Sequence, residues 1–393
     1  MSETLFHPTA LLLRGKINTS LPASNAEGRQ PLLQAQMQPA TLELGYIPLE
    51  LKDPLTTIIK KQELPVITPI INQTDGYFLA IITGLEERLA QLANILSAQN
   101  NIYPDLGKLI KKALLNKGHK PETIKLGNHV LQIGERTIIM GILNMTPDSF
   151  SDGGKFYEKD EALAQAYAMA QEGADIIDIG GESSRPGYIR VSADEELSRI
   201  LPLIKTLKAD QSFHLPISVD TYKEKVARAV LEEGADLLND IWGLKYDSEL
   251  KSLASDYNVP ICLMHNRNNT NYNLLIHDII NELEESIEIA LQAGFRKENI
   301  IIDPGIGFGK TVDQNLAVMN KISMFNSLGY PLLLGTSRKS LIGKTLDLPV
   351  DQRLEGTAAT LALGINAGVN IVRVHDVKLM KRVTDMTDAI IRR

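Results

Sequence analysis

The sequence has few of the features that mark secreted proteins. Its 393 residues include one cysteine, Cys262. One cysteine cannot form an internal disulfide or a cysteine-based metal cluster, and this usage is typical of a reducing compartment. The first 30 residues also lack a compact apolar segment followed by a small-residue cleavage site. These absences predict a cytoplasmic protein that has no secretory signal.

Long hydrophobic runs and a strong basic excess are missing as well. Apolar runs such as Gly76–Leu85 are about ten residues long, half of what a membrane-spanning helix needs. The net charge is −7, and neither the N-terminal nor the C-terminal part is basic enough for a nucleic-acid surface. With 44% hydrophobic and 23% charged residues, the composition is that of a globular protein. We therefore predict a soluble protein whose partners include neither a membrane nor a nucleic acid.

Residues 1–123 predict a small α/β domain in which no catalytic constellation is found. Leu21–Gln38 is rich in Pro, Ala, Gln and Ser and predicts a loosely ordered loop. A strand is expected at Tyr77–Ile82. The segment Thr83–Glu86 matches a capping box before leucines at helical spacing, and Asp105 can cap a second helix. The candidate roles of this domain are dimerisation and regulation.

From residue 124 to residue 393 one unit recurs, a short apolar run followed by a stretch with helical period. Eight such alternations match the size and count of a (β/α)₈ TIM barrel, and continuous apolar runs are typical of buried parallel strands. A hairpin at Thr123–Ile133, with a Gly127-Asn128 turn, is expected to close the barrel floor. The structural alternative is a doubly wound open sheet. The eight predicted strands are Thr137–Leu143, Asp175–Ile179, Pro216–Val219, Asp236–Leu238, Pro260–Met264, Ile300–Ile302, Pro331–Leu334 and Asn370–Val374.

Residues of unusual type stand at the predicted strand ends, where the active site of such a barrel lies. One group offers carboxylate, amide and ammonium groups and consists of Asp220, Asn239, Asp303 and Lys339. Each carboxylate or amide alone could be a helix N-cap. Four such groups on separate strand ends favour a buried pocket for a flat heterocycle, because unpaired N–H and C=O edges are costly in a buried site.

A second group of residues suits an anion. Arg373 and His375 are two residues apart on the last strand, and Ser337 and Arg338 end the seventh. Phosphate sites in barrels often follow strands seven and eight, and an arginine fork with hydroxyl and imidazole donors suits a di- or polyphosphate. His265 and His375 have no recognisable metal-binding spacing, which argues against a zinc site.

The loop after the first barrel strand adds hydroxyls, carboxylates and paired glycines. Asn144 ends the strand, and the segment Asp148–Gly154 follows it. Such a loop can close over a leaving group or help to hold Mg²⁺ through oxygen ligands and water. The alternative is a flexible surface loop.

These segments together closely resemble dihydropteroate synthase, and the likeness covers about residues 124–393 in order. The first and last motifs together are highly specific. The matching segments are Gly141–Gly154, Asp178–Gly187, Ser218–Thr221, Asn239–Asp240, Asp303–Lys310, Ser337–Ser340 and Arg373–Asp376. The resemblance implies a TIM barrel that condenses p-aminobenzoate with 6-hydroxymethyl-7,8-dihydropterin pyrophosphate and releases pyrophosphate and 7,8-dihydropteroate. It also implies a homodimer formed through the barrel helices.

The resemblance further implies roles for individual residues. Catalysis would depend on Asn144, Asp220, Lys339, Arg373 and His375. The pterin would be held by Asp220, Asn239, Met264, Asp303, Phe308, Gly335 and Lys339. The pyrophosphate, with a Mg²⁺ cofactor held through Asn144, would be bound by Asn144, Ser184, Arg373 and His375. The p-aminobenzoate, and sulfonamides that compete with it, would lie around Thr146, Pro147, Ser184, Arg185, Pro186 and Ser340.

One position departs from the family pattern, and one part of the chain lies outside it. Position 184 is Ser where many members have Thr, so we expect a shift in p-aminobenzoate affinity rather than a dead enzyme. Residues 1–123 do not match the pterin pyrophosphokinase that is the family's commonest fusion partner.

Two other functions remain open at this point. A methyltetrahydrofolate-binding methyltransferase domain uses the same barrel and similar Asp and Asn contacts. It would not need the phosphate-type segments Asn144–Gly154, Ser337-Arg338 and Arg373–His375. A catalytically silent pterin-binding protein is the second alternative, which Ser184 and the extra domain keep open.

Overall fold

A computed structural model of the chain describes residues 9–14, 39–72, 76–116, 120–146, 155–183 and 190–392. The chain divides into two compact units. Unit 1 comprises Met1–His119, Tyr272–Asn281 and Ser323–Gly329, and unit 2 comprises Lys120–Asn271, Glu282–Ile322 and Tyr330–Arg393. Because these units are not contiguous in sequence, the domain boundary between residues 123 and 124 stays a prediction.

In its described residues up to Asn116, unit 1 contains a five-stranded antiparallel sheet and three α-helices. The strand order is β1-β2-β5-β3, and β4 also pairs with β5. Alternate side chains of β5 are buried, and with leucines from the helices they form one apolar core. The elements are β1 Thr9–Arg14, β2 Pro39–Pro48, α1 Lys52–Lys61, β3 Val66–Ile67, β4 Ile70–Asn72, β5 Tyr77–Leu85, α2 Glu86–Ser97 and α3 Tyr103–Asn116.

The predicted helices of this unit exist, but both predicted caps are wrong. Thr83 lies within β5, and Leu85 occupies the N-cap position of α2 without a side-chain cap bond. Strand pairing with β2 extends to Leu85, which leaves Thr83 in extended backbone. Asp105 lies in the first turn of α3, since that helix begins at Tyr103. The loop prediction for Leu21–Gln38 falls outside the described residues.

Unit 2 is a closed parallel barrel. Its eight strands pair in the order β13-β12-β11-β10-β9-β8-β15-β14. A parallel bridge between Ile302 and Leu332 closes the ring, so the doubly wound alternative is wrong. The strands are β8 Ile138–Asn144, β9 Ile176–Gly180, β10 Ile217–Asp220, β11 Leu237–Asp240, β12 Ile261–Met264, β13 Ile300–Asp303, β14 Leu333–Leu334 and β15 Ile371–Val374.

The predicted hairpin is confirmed at β6 Thr123–Leu126 and β7 His129–Gln132, which pair antiparallel. Gly127 has a φ of +56°, as such a tight turn requires. Ile124 and Leu126 belong to one buried cluster with the first residues of the barrel strands, including Ile138 and Ile371. The hairpin therefore covers the end of the barrel at which the strands begin, and leaves the carboxyl ends for chemistry.

Helices alternate with the barrel strands. They are α4 Lys155–Glu172, α5 Ala193–Ala209, α6 Glu224–Glu232, α7 Leu250–Tyr257, α8 Leu275–Gln292, α9 Val312–Asn320, α10 Ser340–Leu346, α11 Leu354–Asn366 and α12 Val377–Ile391. Most present an apolar stripe to the strands, as the buried Ile200, Leu203 and Leu207 of α5 do. No helix in the described part of the chain has the length and apolar character to span a membrane.

Candidate active site

A buried ion-pair cluster lies at the carboxyl ends of the barrel strands. Arg373 Nε donates to Asp178 Oδ2 at 2.6 Å, and Arg373 Nη2 donates to Asp220 Oδ2 at 2.8 Å. The three residues come from β15, β9 and β10. Asp178 is completely buried, so its negative charge depends on the Arg373 guanidinium for compensation.

Asp178 is the functional candidate that the sequence reasoning missed. Besides Arg373, it accepts hydrogen bonds from Ser218 Oγ at 2.6 Å and from Asn239 Nδ2 at 3.1 Å. It therefore orients two of the predicted site residues. The signal in the sequence was a single carboxylate within the apolar run 176–179 of a buried strand, where an unpaired charge would be prohibitive.

The pKa of Asp220 reflects this crowding. Burial raises it to about 7, and the Asp178 carboxylate adds to the rise while the Arg373 guanidinium opposes it. Burial lowers the pKa of Arg373, but Asp178 and Asp220 raise it by more, so the guanidinium stays charged. Burial and the Asp178 carboxylate thus disfavour the ionised form of Asp220, whereas Arg373 favours it.

Lys339, Asp303 and Phe308 form the opposite side of the predicted pterin pocket. Lys339 Nζ donates to Ile306 O at 2.5 Å and lies 4.7 Å from the centroid of the Phe308 ring. Burial lowers the pKa of Lys339 to about 8, and the Asp303 carboxylate partly offsets this. Asp303 is buried at the end of β13 and accepts from Gly305 N at 2.7 Å. Burial raises the pKa of Asp303, and Lys339 opposes that shift.

An apolar wall completes this side of the site. Met264, at the end of β12, packs in one cluster with Tyr222, Ile241, Trp242 and Phe308. Gly335 follows β14, and a Cβ added there would lie 3.7 Å from Lys339 Nζ and 3.8 Å from Arg373 Cβ. A side chain at position 335 would therefore meet Lys339 and Arg373 at ordinary van der Waals distance.

Of the residues predicted to bind pyrophosphate, those that the structure describes lie at the ends of neighbouring strands. Asn144 is the last residue of β8, and β8 pairs with both β9 and β15. His375 follows β15, and its Nδ1 lies 3.0 Å from Ser337 Oγ. Arg338 pairs through two nitrogens with Asp376, at 3.0 and 2.5 Å. Its guanidinium is thus held by Asp376, as that of Arg373 is held by Asp178 and Asp220.

The residues predicted around p-aminobenzoate are only partly described. Thr146 is buried just beyond β8, and Ser340 is the exposed first residue of α10. Pro147, Ser184, Arg185 and Pro186 lie outside the described residues. Their predicted contacts stay predictions.

A second missed carboxylate, Glu182, holds the backbone on both sides of positions 184–189. It accepts hydrogen bonds from Tyr222 Oη at 2.6 Å, from Lys223 Nζ at 2.5 Å and from Val191 N at 3.1 Å. Lys223 also donates to the buried Glu196 at 2.6 Å. Burial raises the pKa of Glu182, but the bonds from Lys223 and Tyr222 lower it by more, so it stays ionised. Glu182 therefore ties together Tyr222, Lys223 and the backbone at Val191.

The described residues hold no group of three or more His, Cys, Asp or Glu side chains able to bind a metal ion. Asn144 offers a single side-chain oxygen at the end of β8, close to Gly180. This donor set fits Mg²⁺ that arrives with substrate phosphates, because Mg²⁺ usually keeps several waters and takes few protein ligands.

Comparisons with known proteins agree with this geometry. The model of the pterin binding enzyme family matches residues 140–375. A dihydropteroate synthase of Clostridium beijerinckii is 57% identical over 271 residues, which are 69% of this chain and 100% of that protein. The chain belongs to the dihydropteroate synthase family.

Solved structures of dihydropteroate synthases share the barrel. One from Clostridium difficile, determined in the presence of pteroic acid, is 51% identical with a TM-score of 0.65 and covers 67% of this chain and 100% of that one. One from Yersinia pestis, in complex with a sulfonamide drug, is 38% identical with a TM-score of 0.64. The match covers 68% of this chain and 98% of that chain. These family members match about two thirds of the chain, and the family model begins only at residue 140.

Proposed function

We propose that the barrel condenses p-aminobenzoate with 6-hydroxymethyl-7,8-dihydropterin pyrophosphate, the dihydropteroate synthase reaction of folate biosynthesis. The observation that carries this proposal is the convergence of Asp220, Asn239, Asp303 and Lys339 on one end of a barrel of this family. Buried and partly buried carboxylate, amide and ammonium groups match the donor and acceptor edges of a pterin.

The chemistry requires that one bond breaks and one forms. The C–O bond of the pterin hydroxymethyl group breaks, and pyrophosphate leaves with the electron pair. The aniline nitrogen of p-aminobenzoate attacks the methylene carbon and loses a proton. Asp220 and Asp303 suit this step because carboxylates stabilise the positive charge that develops on the pterin. An aniline needs little help from a base, which explains why a nucleophile or catalytic triad is not required.

Departure of the pyrophosphate requires cationic and oxygen groups close to it. We propose that Asn144, Ser184, Arg373 and His375 bind it, with Asn144 as the protein ligand of Mg²⁺. When bound, Mg²⁺ would neutralise charge that develops on the leaving group. For Arg373 to reach a phosphate it must share its guanidinium with Asp178 and Asp220, which hold two of its nitrogens.

A single assay separates this function from its alternatives. The full chain is incubated with Mg²⁺, the dihydropterin pyrophosphate and labelled p-aminobenzoate, and dihydropteroate is measured. Formation of product supports the synthase, and added sulfonamide is then expected to inhibit it. Binding of the pterin without product selects the silent protein, and binding of methyltetrahydrofolate without product selects the methyltransferase domain.

Asn144→Ala is expected to slow turnover by about 100-fold and to change pterin affinity little. The amide serves the leaving group, so its loss should affect the transition state more than the bound pterin. The measurement is kcat together with the Kd of a pterin that lacks the pyrophosphate. Equal losses in both quantities would contradict the role of Asn144.

We also propose a homodimer formed through α11 and α12. These helices pack against each other, and they expose Leu363 (64%), Met386 (63%) and Ile390 (66%). Large apolar side chains that are exposed together often mark an interaction surface. The resemblance to the family implies a homodimer through the barrel helices, so we propose a second copy of this chain as the partner.

Met386→Glu is expected to halve the mass in solution, because a carboxylate would be buried unpaired at the dimer interface. Sedimentation equilibrium of the full chain measures the mass. Leu291→Glu is the matched control, since Leu291 is an exposed leucine on another barrel helix, α8. A monomeric parent, or a dimer in both variants, would exclude this interface.

We further propose a cytoplasmic location. The one cysteine, Cys262, is a free and buried thiol, and single unpaired cysteines are usual in reducing compartments. Fractionation of cells that express the chain tests this proposal.

A further inference from the structure

A buried lysine that the proposed reaction does not use holds the loop after β13. Lys310 ends this glycine-rich loop and is 9% exposed. Its Nζ lies 2.9 Å from Gly305 O, 3.0 Å from Phe308 O and 2.9 Å from His265 Nδ1. An ammonium group has three N–H donors, so these acceptors satisfy it completely.

The contacts of Lys310 determine the tautomer and the charge of the neighbouring His265. His265 Nδ1 accepts from the lysine, so the ring proton is on Nε2, which lies 3.1 Å from Glu282 Oε2. Burial and the nearby Lys310 lower the pKa of His265 to about 4, which keeps the ring neutral. Glu282 in turn accepts from Arg267 Nε at 2.7 Å. A continuous chain of contacts therefore runs from Arg267 through Glu282 and His265 to Lys310.

The loop that Lys310 ties down carries two contacts of Lys339. The Ile306 carbonyl accepts from Lys339 Nζ, and the Phe308 ring lies beneath that ammonium. The loop backbone approaches its neighbours closely, because a Cβ on Gly305 would lie 1.9 Å from His265 O. The positive φ of +68° at Gly305 likewise requires glycine.

We propose that Lys310 is a positioning residue for the pterin side of the active site. By tying Gly305 and Phe308 to His265, it holds the Ile306 carbonyl and the Phe308 ring where they orient Lys339. It acts through these groups and does not touch the substrate. This role rests on the proposed function, since it presupposes that Lys339 binds a pterin.

The chain offers a matched control in Lys120. This lysine is partly buried, and its Nζ donates to Gly368 O at 2.9 Å and to Asn370 Oδ1 at 2.6 Å. Burial lowers its pKa to about 7, as it does for Lys310. Asn370 precedes β15, so Lys120 lies at the end of the barrel remote from the carboxyl ends of the strands.

The test compares Lys310→Met with Lys120→Met in the full chain. The Kd of the dihydropterin pyrophosphate is measured by calorimetry without p-aminobenzoate, and the KM of p-aminobenzoate is measured in turnover. Lys310→Met is expected to raise the pterin Kd by about 30-fold, because displacement of site groups by about 1 Å costs up to 100-fold. The KM of p-aminobenzoate should stay within about 2-fold, since the loop faces the pterin.

Lys120→Met should lower the thermal midpoint to a similar extent and leave the pterin Kd unchanged. If both variants weaken pterin binding equally, or if Lys310→Met leaves the Kd within about 2-fold of the parent, the positioning role is overturned. If the parent chain itself fails to bind the pterin, the proposed function fails instead, so the two failures are distinguishable.

A second pair keeps the proposal testable if Lys310→Met does not fold. His265→Asn retains an acceptor close to the position of Nδ1, whereas His265→Leu removes it. We expect the pterin Kd of His265→Asn to stay within about 3-fold of the parent and that of His265→Leu to rise by about 10-fold or more. Equal pterin affinities in the two variants would also overturn the role of Lys310.

Discussion

Asp178→Asn is expected to lower the free energy of unfolding by about 3 kcal/mol and turnover by about 100-fold. Asp178 is completely buried and accepts hydrogen bonds from Arg373, Ser218 and Asn239. Asparagine removes one of the two carboxylate charges that compensate Arg373, since Asp220 holds the other nitrogen, and it retains one oxygen for three donors. Asn239 would then lose the carboxylate that orients it, and Arg373 would lose one of its two carboxylate partners.

Urea unfolding and steady-state kinetics together measure this effect. Ser218→Ala is the matched control, because it removes a neutral donor from the same carboxylate and should cost only about 1 kcal/mol. Its turnover should remain close to that of the parent. A fully active Asp178→Asn would show that Arg373 and Asn239 are oriented by other groups.

Lys339→Met is expected to lower kcat/KM for the dihydropterin pyrophosphate by about 100-fold. The variant removes the ammonium that lies on Phe308 and opposes the rise in the pKa of Asp303. Without it, Asp303 should protonate at a higher pH and accept hydrogen bonds from the pterin less well. Steady-state kinetics at saturating p-aminobenzoate provide the measurement.

The pH dependence of pterin binding distinguishes this role from simple packing. The pKa of Lys339 is lowered to about 8, so its ammonium is lost as the pH rises through 8. Pterin affinity of the parent should therefore weaken above pH 8, and Lys339→Met should lack that decline. Lys339→Arg, which stays charged, should also lack it. A decline that persists in both variants would assign the titration to another group.

The barrel could be predicted from the sequence because each strand and helix has a local pattern, and this pattern recurs eight times. Each strand is a continuous apolar run, as strands covered on both faces require, and each is followed by a helical stretch. Strand bounds such as Ile300–Asp303 differ from the predicted ones by one or two residues. The predicted caps at Thr83 and Asp105 were wrong because strand pairing and the true helix start overrode a short local pattern.

Candidate site residues could be predicted where the sequence places polar side chains at a strand end or in the loop after it. Asp220, Asn239 and Asp303 lie near the ends of their strands, and Lys339 is the N-cap residue of α10. Their roles stay predictions. Asp178 and Lys310 were missed as functional candidates because their importance comes from partners distant in sequence. Arg373, for example, is 195 residues from Asp178. A local sequence pattern cannot predict which buried carboxylate will pair with which guanidinium.

The sequence by itself determined that the protein is globular and that eight strands alternate with helices. It also determined the family and the residue types at the strand ends. These features could be predicted because apolar periodicity and motif spacing depend only on residues that are close together in the sequence. Only the tertiary structure decided that the ring closes, that Asp178 orients Arg373 and Asn239, and that Lys310 holds the loop beneath Lys339. These are long-range contacts, and the burial that makes a charge dependent on its partner exists only once the barrel has formed.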